Sequence, residues 1–171
     1  MIIHRTVVNF VTMPWVNGKG TTVEMLRMER EGRMILRLSR AMVVEDGAFS
    51  MFPGIERNLT VLCGPGFDLV GEGLHLAARL LVPVAFAGDL AVRAVGVSAP
   101  CEDFNVMTAR DLPRAKVWVQ PPGQAPAGVV QALEAGRVGG LDVARYDLVL
   151  TDLPLVHDVP VIVVQADGLW H

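Results

Sequence analysis

Short apolar runs with a period of two, broken every few residues by glycine or proline, are the feature that most limits what this chain can become. Met34, Leu36 and Leu38 alternate with Ile35, Arg37 and Ser39; Leu59, Val61 and Cys63 with Asn58, Thr60 and Leu62; Leu90, Val92 and Ala94 with Ala91, Arg93 and Val95. Side chains two apart share one face of a strand, so each run reads as a strand with two distinct faces. Residues 6–11, 21–28, 67–70, 103–108, 116–119, 146–150 and 160–165 read the same way. The 171 residues include 17 glycines and 11 prolines, too many for long amphipathic helices, and only residues 128–135 are continuous enough to turn helical. Many short strands at regular spacing predict an all-β sandwich or barrel with little helix.

The chain is long enough to bury a core without metal or disulfide support, and 51% hydrophobic residues against 19% charged exclude disorder. It reads as one domain, with two β halves (about 1–115 and 116–171) sharing one core and divided near the proline-rich residues 120–127. Fifteen basic and eighteen acidic residues give a net charge of −3, which argues against nucleic-acid binding or a polybasic membrane surface. The longest uncharged window near membrane-span length, residues 117–133, holds Pro121, Pro122, Pro126, Gly123 and Gly128 and cannot span a bilayer as a helix. No long apolar leader region is visible, so the expected compartment is cytoplasmic. Cys63 and Cys101, far apart and without a C-x-x-C motif, suit two packed thiols in a reducing environment.

Several patterns carry no chemistry. In Gly18-Lys19-Gly20-Thr21 the lysine is not followed directly by serine or threonine, and no helix follows, so it is no phosphate loop. Gly64-Pro65-Gly66 lacks the third glycine of a dinucleotide fingerprint and reads as a hairpin turn. His4, His75, His157 and His171 are scattered without metal-ligand spacing, so neither a metal nor a cofactor is expected. The same scatter gives covalent triads little support.

What remains is a set of polar residues inside strand patterns. Arg57 shares a face with Leu59, Val61 and Cys63, so a guanidinium stands at the end of an apolar row. An interior arginine requires an anion: a ligand carboxylate, with Phe52 as an apolar wall, or an internal partner such as Glu24, Glu56 or Asp103. Arg37 lies on the face of Ile35 and Ser39, and a solvated face would also account for it. Asn17, Thr21, Thr22 and Glu24 follow the Met13-Pro14-Trp15 turn, where they serve either a cavity mouth or the turn itself. Asn105 and Thr108 sit in an apolar run and must find a partner or a ligand.

In order and spacing over residues 5–110, these segments resemble the HutD/Ves family of bacterial proteins. The matching blocks are Met13-Pro14-Trp15-Val16-Asn17-Gly18-Lys19-Gly20-Thr21-Thr22-Val23-Glu24, Leu36-Arg37-Leu38-Ser39, and Asp46-Gly47-Ala48-Phe49-Ser50-Met51-Phe52-Pro53-Gly54-Ile55-Glu56-Arg57 running on through Leu59-Thr60-Val61-Leu62. Pro83-Val84-Ala85-Phe86-Ala87-Gly88-Asp89 and Asp103-Phe104-Asn105-Val106-Met107-Thr108 complete them. Val23 stands where the family usually has arginine, and Leu36 where it has tryptophan; residues 111–171 match only in strand rhythm.

The resemblance implies a cupin-like (RmlC-like) two-lobed β-sandwich and a role in histidine utilisation, restraining the pathway by binding an intermediate such as urocanate or N-formylglutamate. Both are carboxylates, and Arg57 falls on the arginine of the family's F-x-G-x-x-R block. The resulting expectation is a non-enzymatic binding protein. Its ligand set is Arg57, Phe52, Asn17, Thr22, Glu24, Asn105 and Arg37, and its expected partners are a small carboxylate and, through edge strands and apolar surface, a second copy of the chain in a homodimer. Two rival readings stand beside it: a metal-independent enzyme on the same intermediates with Glu24 as general base, and a structural interaction module.

Overall fold

The computed structural model describes residues 1–15 and 18–168. The chain opens with β1 (Ile2–Arg5) and a 3-10 turn at Val7–Asn9. There follow β2 (Val11–Pro14), β3 (Thr21–Arg30), β4 (Arg33–Val43), β5 (Gly47–Ala48), β6 (Ile55–Cys63), β7 (Phe67–Gly71), β8 (Leu74–Ala78), β9 (Val84–Ala87), β10 (Arg93–Val95) and β11 (Cys101–Ala109). The remainder forms β12 (Lys116–Gln120), β13 (Gly123–Ala125), β14 (Gly128–Ala132), β15 (Gly136–Val138), β16 (Leu141–Val143), β17 (Leu148–Thr151), β18 (Leu155–His157) and β19 (Val161–Gln165). The fold is all-β, the class that the period-two runs predict.

The chain divides into two compact units, residues 11–112 and residues 1–10 with 113–171. The first ten residues group with the C-terminal unit because β1 pairs antiparallel with β17, Ile2 opposite Thr151 and Arg5 opposite Leu148. In that unit a five-stranded sheet, β1-β17-β14-β19-β12, accompanies a four-stranded one, β13-β18-β15-β16. Val130, Val149, Val161 and Val163 from the first and Ala125, Val138, Val143 and Leu155 from the second meet in one apolar cluster.

The 11–112 unit pairs a six-stranded sheet, β2-β3-β4-β11-β6-β9, with a four-stranded sheet, β5-β10-β7-β8. Val43, Leu59, Val61, Phe86 and Cys101 of the larger sheet pack against Phe67, Leu69, Ala78 and Ala94 of the smaller. Alternation explains this contact: Leu59 and Val61 point one way from β6, as do Phe67 and Leu69 from β7.

Four expectations are corrected. Residues 128–135 hold no helix: β14 is buried along its whole length and hydrogen-bonded on both sides, to β17 and β19, and a run apolar on both faces looks the same in sequence whether strand or helix. Residues 6–11 are not one strand, because the Asn9 side chain accepts the Thr6 N–H at 2.9 Å and closes a tight turn. Of the two thiols, Cys101 is buried but Cys63 is exposed, at the end of its strand. Gly64-Pro65-Gly66 is no hairpin either, since β6 and β7 belong to different sheets and the segment carries the chain from one to the other.

That crossing is tight. At Gly66 (φ +81°) an added Cβ would lie 2.2 Å from the Ala78 carbonyl oxygen, whereas at Gly73 (φ +68°) it would meet nothing within 4 Å. Both positions carry the left-handed backbone cost, and only the first adds a backbone collision. Gly73→Ala is expected to cost about 1 kcal/mol and Gly66→Ala about 2 to 4 kcal/mol. Thermal denaturation of the two variants side by side checks this; equal melting temperatures would show that the crossing is not the constraint described.

Candidate functional site

Strand register alone brings most of the candidate residues onto one face of the six-stranded sheet. Arg37, Met107 and Arg57 lie opposite one another on β4, β11 and β6, with Phe86 of β9 beyond. Glu24, Ser39, Asn105 and Leu59 make the next row, and Thr22, Ala41, Asp103 and Val61 the row after. Facing residues in an antiparallel ladder point the same way, so three rows from five strands present one mixed surface. Leu59, Val61 and Phe86 are core and Glu24 lies off the lining; the other eight line a cavity of about 510 Å³ together with Met13, Pro14, Trp15, Phe49, Ser50 and Phe52.

Arg57 is 7% exposed and lines this cavity. Its Nη2 donates to the Asn105 side-chain oxygen at 2.9 Å and its Nη1 to the Ser50 carbonyl at 3.2 Å, while Nε is buried without a hydrogen-bond partner. Three phenyl rings surround the guanidinium, with centroids 5.0 Å (Phe86), 5.3 Å (Phe52) and 5.6 Å (Phe49) from Cζ. The negative faces of the rings replace part of the lost hydration. Burial lowers the arginine's pKa to about 10, against the pull of Asp103, so the group remains a cation at neutral pH.

Behind Arg57 stands a second buried charge. Asn105, 4% exposed, donates through Nδ2 to Asp103 Oδ1 at 2.5 Å, and Asp103 is 1% exposed with Oδ2 buried and unpartnered. Burial pushes the Asp103 carboxyl up to about 7; Arg57 and the Asn105 bond hold it from rising further. Asn105 thus uses its oxygen toward the cation and its nitrogen toward the carboxyl group.

The segment after β5 that supplies Phe49 and Phe52 is pinned by backbone bonds. Phe49 N–H donates to Val92 O, Phe52 N–H to Gly88 O, and Gly88 N–H to Ile55 O. A Cβ on Gly88 would stand 2.5 Å from the Phe52 carbonyl oxygen, so only glycine admits this approach. Asp89 accepts the Gly54 N–H at 2.6 Å and also pairs with Arg110. Two sequence blocks, residues 46–57 and 83–89, therefore meet to hold the aromatic wall.

The other sequence candidates divide. Phe52 is the wall expected of it. Thr22 lines the cavity and accepts the Trp15 indole N–H at 2.9 Å. Arg37 is not on a solvated face: it lines the cavity, and its Nε donates to Glu24 at 2.6 Å, so Glu24 partners Arg37 and not Arg57. Thr108 is buried, but one residue out of step with Asn105 and Met107 it points to the opposite face, with Phe104 and Val106. Asn17 lies outside the described residues. Sequence reasoning missed Phe49 and Trp15 as wall residues, Phe86 as a ring against the Arg57 guanidinium, and Asp103 as more than a salt-bridge partner. The period-two spacing of Asp103, Asn105 and Met107 was the signal available for the last. Among the described residues, no group of three or more His, Cys, Asp and Glu side chains is placed to hold a metal ion, and no helix is long and apolar enough to cross a membrane.

The HutD family model matches residues 8–137, a stretch that contains every cavity residue named above. The chain is 37% identical over 114 residues to an uncharacterized 21.2 kDa protein in the hutC 3' region of Pseudomonas putida, covering 64% of this chain and 59% of that one. It is 37% identical over 110 residues to protein Ves of Citrobacter koseri, covering 61% of this chain and 56% of the relative, so the matches span less than two thirds of either protein. The solved structure of HutD from Pseudomonas fluorescens SBW25, in a formate condition, superposes with a TM-score of 0.85 at 27% identity, covering 98% of this chain and 100% of that one. A family match over that much of the sequence, with the same fold in a solved member, means that this chain belongs to the HutD family.

Proposed function

We propose that this chain is a non-enzymatic binding protein whose cavity takes a small carboxylate, anchored on Arg57, and that it modulates histidine utilisation by sequestering an intermediate such as urocanate or N-formylglutamate. The observation that carries the reading is a guanidinium held in a cavity wall by aromatic rings. Only one N–H of each terminal nitrogen is committed to a protein acceptor. A planar fork with spare donors is the group best shaped to take both oxygens of a carboxylate. About 510 Å³ suits a metabolite of this size, and such sites combine apolar walls with a few polar groups that orient the guest. Arg37 adds no second free cation, since Glu24 neutralises it. The walls of Trp15, Phe49 and Phe52 suit a flat conjugated acid, which favours urocanate over a dicarboxylate. The P. putida relative, described by its position beside hutC, supports the link to histidine utilisation. Lowering the free concentration of such an intermediate, or changing shape with it, would suffice for regulation.

Titration calorimetry with urocanate and N-formylglutamate tests the anchor. Arg57→Ala is expected to lose roughly 1.5 to 3 kcal/mol of binding, about ten- to a hundredfold in affinity. Arg57→Lys, which keeps the charge but not the fork, should fall between. Equal affinity in the wild type and Arg57→Ala would remove Arg57 from the site.

Truncating one wall, Phe52→Ala, is expected to weaken binding about two- to fivefold through the lost ring contact. Incubating chelator-treated protein with both acids and following them by chromatography checks the absence of chemistry. Turnover that disappears in Glu24→Gln would replace the binding role with an enzymatic one.

A further inference from the structure

The charges around the cavity do not balance once an anion is added. Arg37 and Glu24 neutralise each other, leaving Arg57 and Asp103, which are joined through Asn105. When Asp103 is ionised, these two also cancel. A carboxylate arriving on Arg57 would then leave a surplus negative charge on a side chain that is 1% exposed and has one oxygen without a partner. A buried, uncompensated carboxylate is expensive, and the group neutralises instead by taking a proton.

We infer that Asp103 is the proton-holding member of the binding site, and that the cavity takes up a carboxylate together with one proton, which settles on the buried Asp103 carboxyl group. This rests on the carboxylate-binding reading above and extends it to the charge state the site requires. The step balances without any other reactant: the anion enters on Arg57, one solvent proton bonds to an oxygen of the Asp103 carboxylate, and no covalent bond breaks. The orphaned Oδ2 is the natural seat for that proton, because Oδ1 already accepts from Asn105. Asp103 acts on the anchor through Asn105, whose oxygen holds Arg57 while its nitrogen holds Asp103, so it is a positioning residue as well as a proton store.

The groups that bear on Asp103 are few. Arg57 of β6 and Asn105 and Glu102 of β11 act on it directly, and Cys101 of β11 lies within reach of its charge; one step removed, Cys63 acts on Cys101, and Arg37 of β4, bonded to Glu24 of β3, acts on Arg57. Glu102 is itself paired with Arg40 at 2.9 Å. Arg57 keeps its proton throughout the range that matters, with a pKa near 10, whereas Asp103 titrates near 7 in the free protein. The sign follows. Below about pH 6 Asp103 already carries its proton, and anion binding takes up none. Above about 7 the proton must come from solvent, so affinity falls as pH rises, by at most about tenfold per pH unit.

The experiment is calorimetry of the wild type with formate, a single carboxylate ionised throughout pH 6 to 8.5, in paired buffers of different ionisation enthalpy. Urocanate and N-formylglutamate serve as second probes. The expected result is close to one proton taken up per ligand at pH 8, close to none at pH 6, and a dissociation constant that rises between pH 7 and 8.5. Asp103→Asn, an uncharged mimic of the protonated group, should bind at pH 8.5 about as tightly as the wild type does at pH 6, with no proton uptake. Binding by the wild type without proton uptake at pH 8 would overturn this inference and leave the carboxylate reading standing. Undiminished uptake in Asp103→Asn would also overturn it, by assigning the proton elsewhere. If none of the three acids binds, the reading and the inference fall together. The wild-type proton count decides the matter even if the variant does not fold.

Discussion

The 11–112 unit is organised around keeping one positive charge away from water. A guanidinium that is 7% exposed gives up most of its hydration, and its depressed pKa is the measure of that loss. Three phenyl rings, a side-chain amide and a backbone carbonyl offset it, and they come from three separate stretches of chain: Phe49, Ser50 and Phe52 from the segment after β5, Phe86 from β9, Asn105 from β11. Removing any one leaves a charge less well satisfied. That explains why so many short blocks of the sequence must arrive in one place.

The supports behind these groups are mostly backbone. Gly88 lets the Phe52 segment approach the β9 turn closely enough for two main-chain hydrogen bonds, and Asp89 holds Gly54 from the side. The wall of the cavity is therefore placed by hydrogen bonds that do not depend on what fills it. The floor is placed by sheet register, since a one-residue slip of β11 would turn Asn105 and Asp103 away from Arg57. A site built on paired strands is a rigid one, as the proposed recognition of a small acid requires.

Asp103 shows the cost of that arrangement. It compensates Arg57 at a distance through Asn105, yet lies deep enough that its own ionisation is resisted. Two charges of opposite sign in one apolar cavity are tolerable as a pair, and a third is not. This electrostatic limit, rather than any single contact, is what would tie the proton state of the site to its occupancy.

The sequence by itself determined the all-β class, because alternation with a period of two and a glycine or proline every few residues leave no room for helices. It also determined that Arg57 would share a face with Leu59 and Val61, since that follows from strand geometry within one segment. It failed where the answer depended on two segments at once. Periodicity could not say that residues 128–132 form a strand buried on both sides, or that Arg37 faces a cavity rather than solvent. Nor could it pair Glu24 with Arg37, or bring Phe49, Phe52 and Phe86 around one cation. Those facts belong to the tertiary structure, because register between distant strands decides which side chains meet, and only a meeting decides whether a buried charge is satisfied or free to receive a guest.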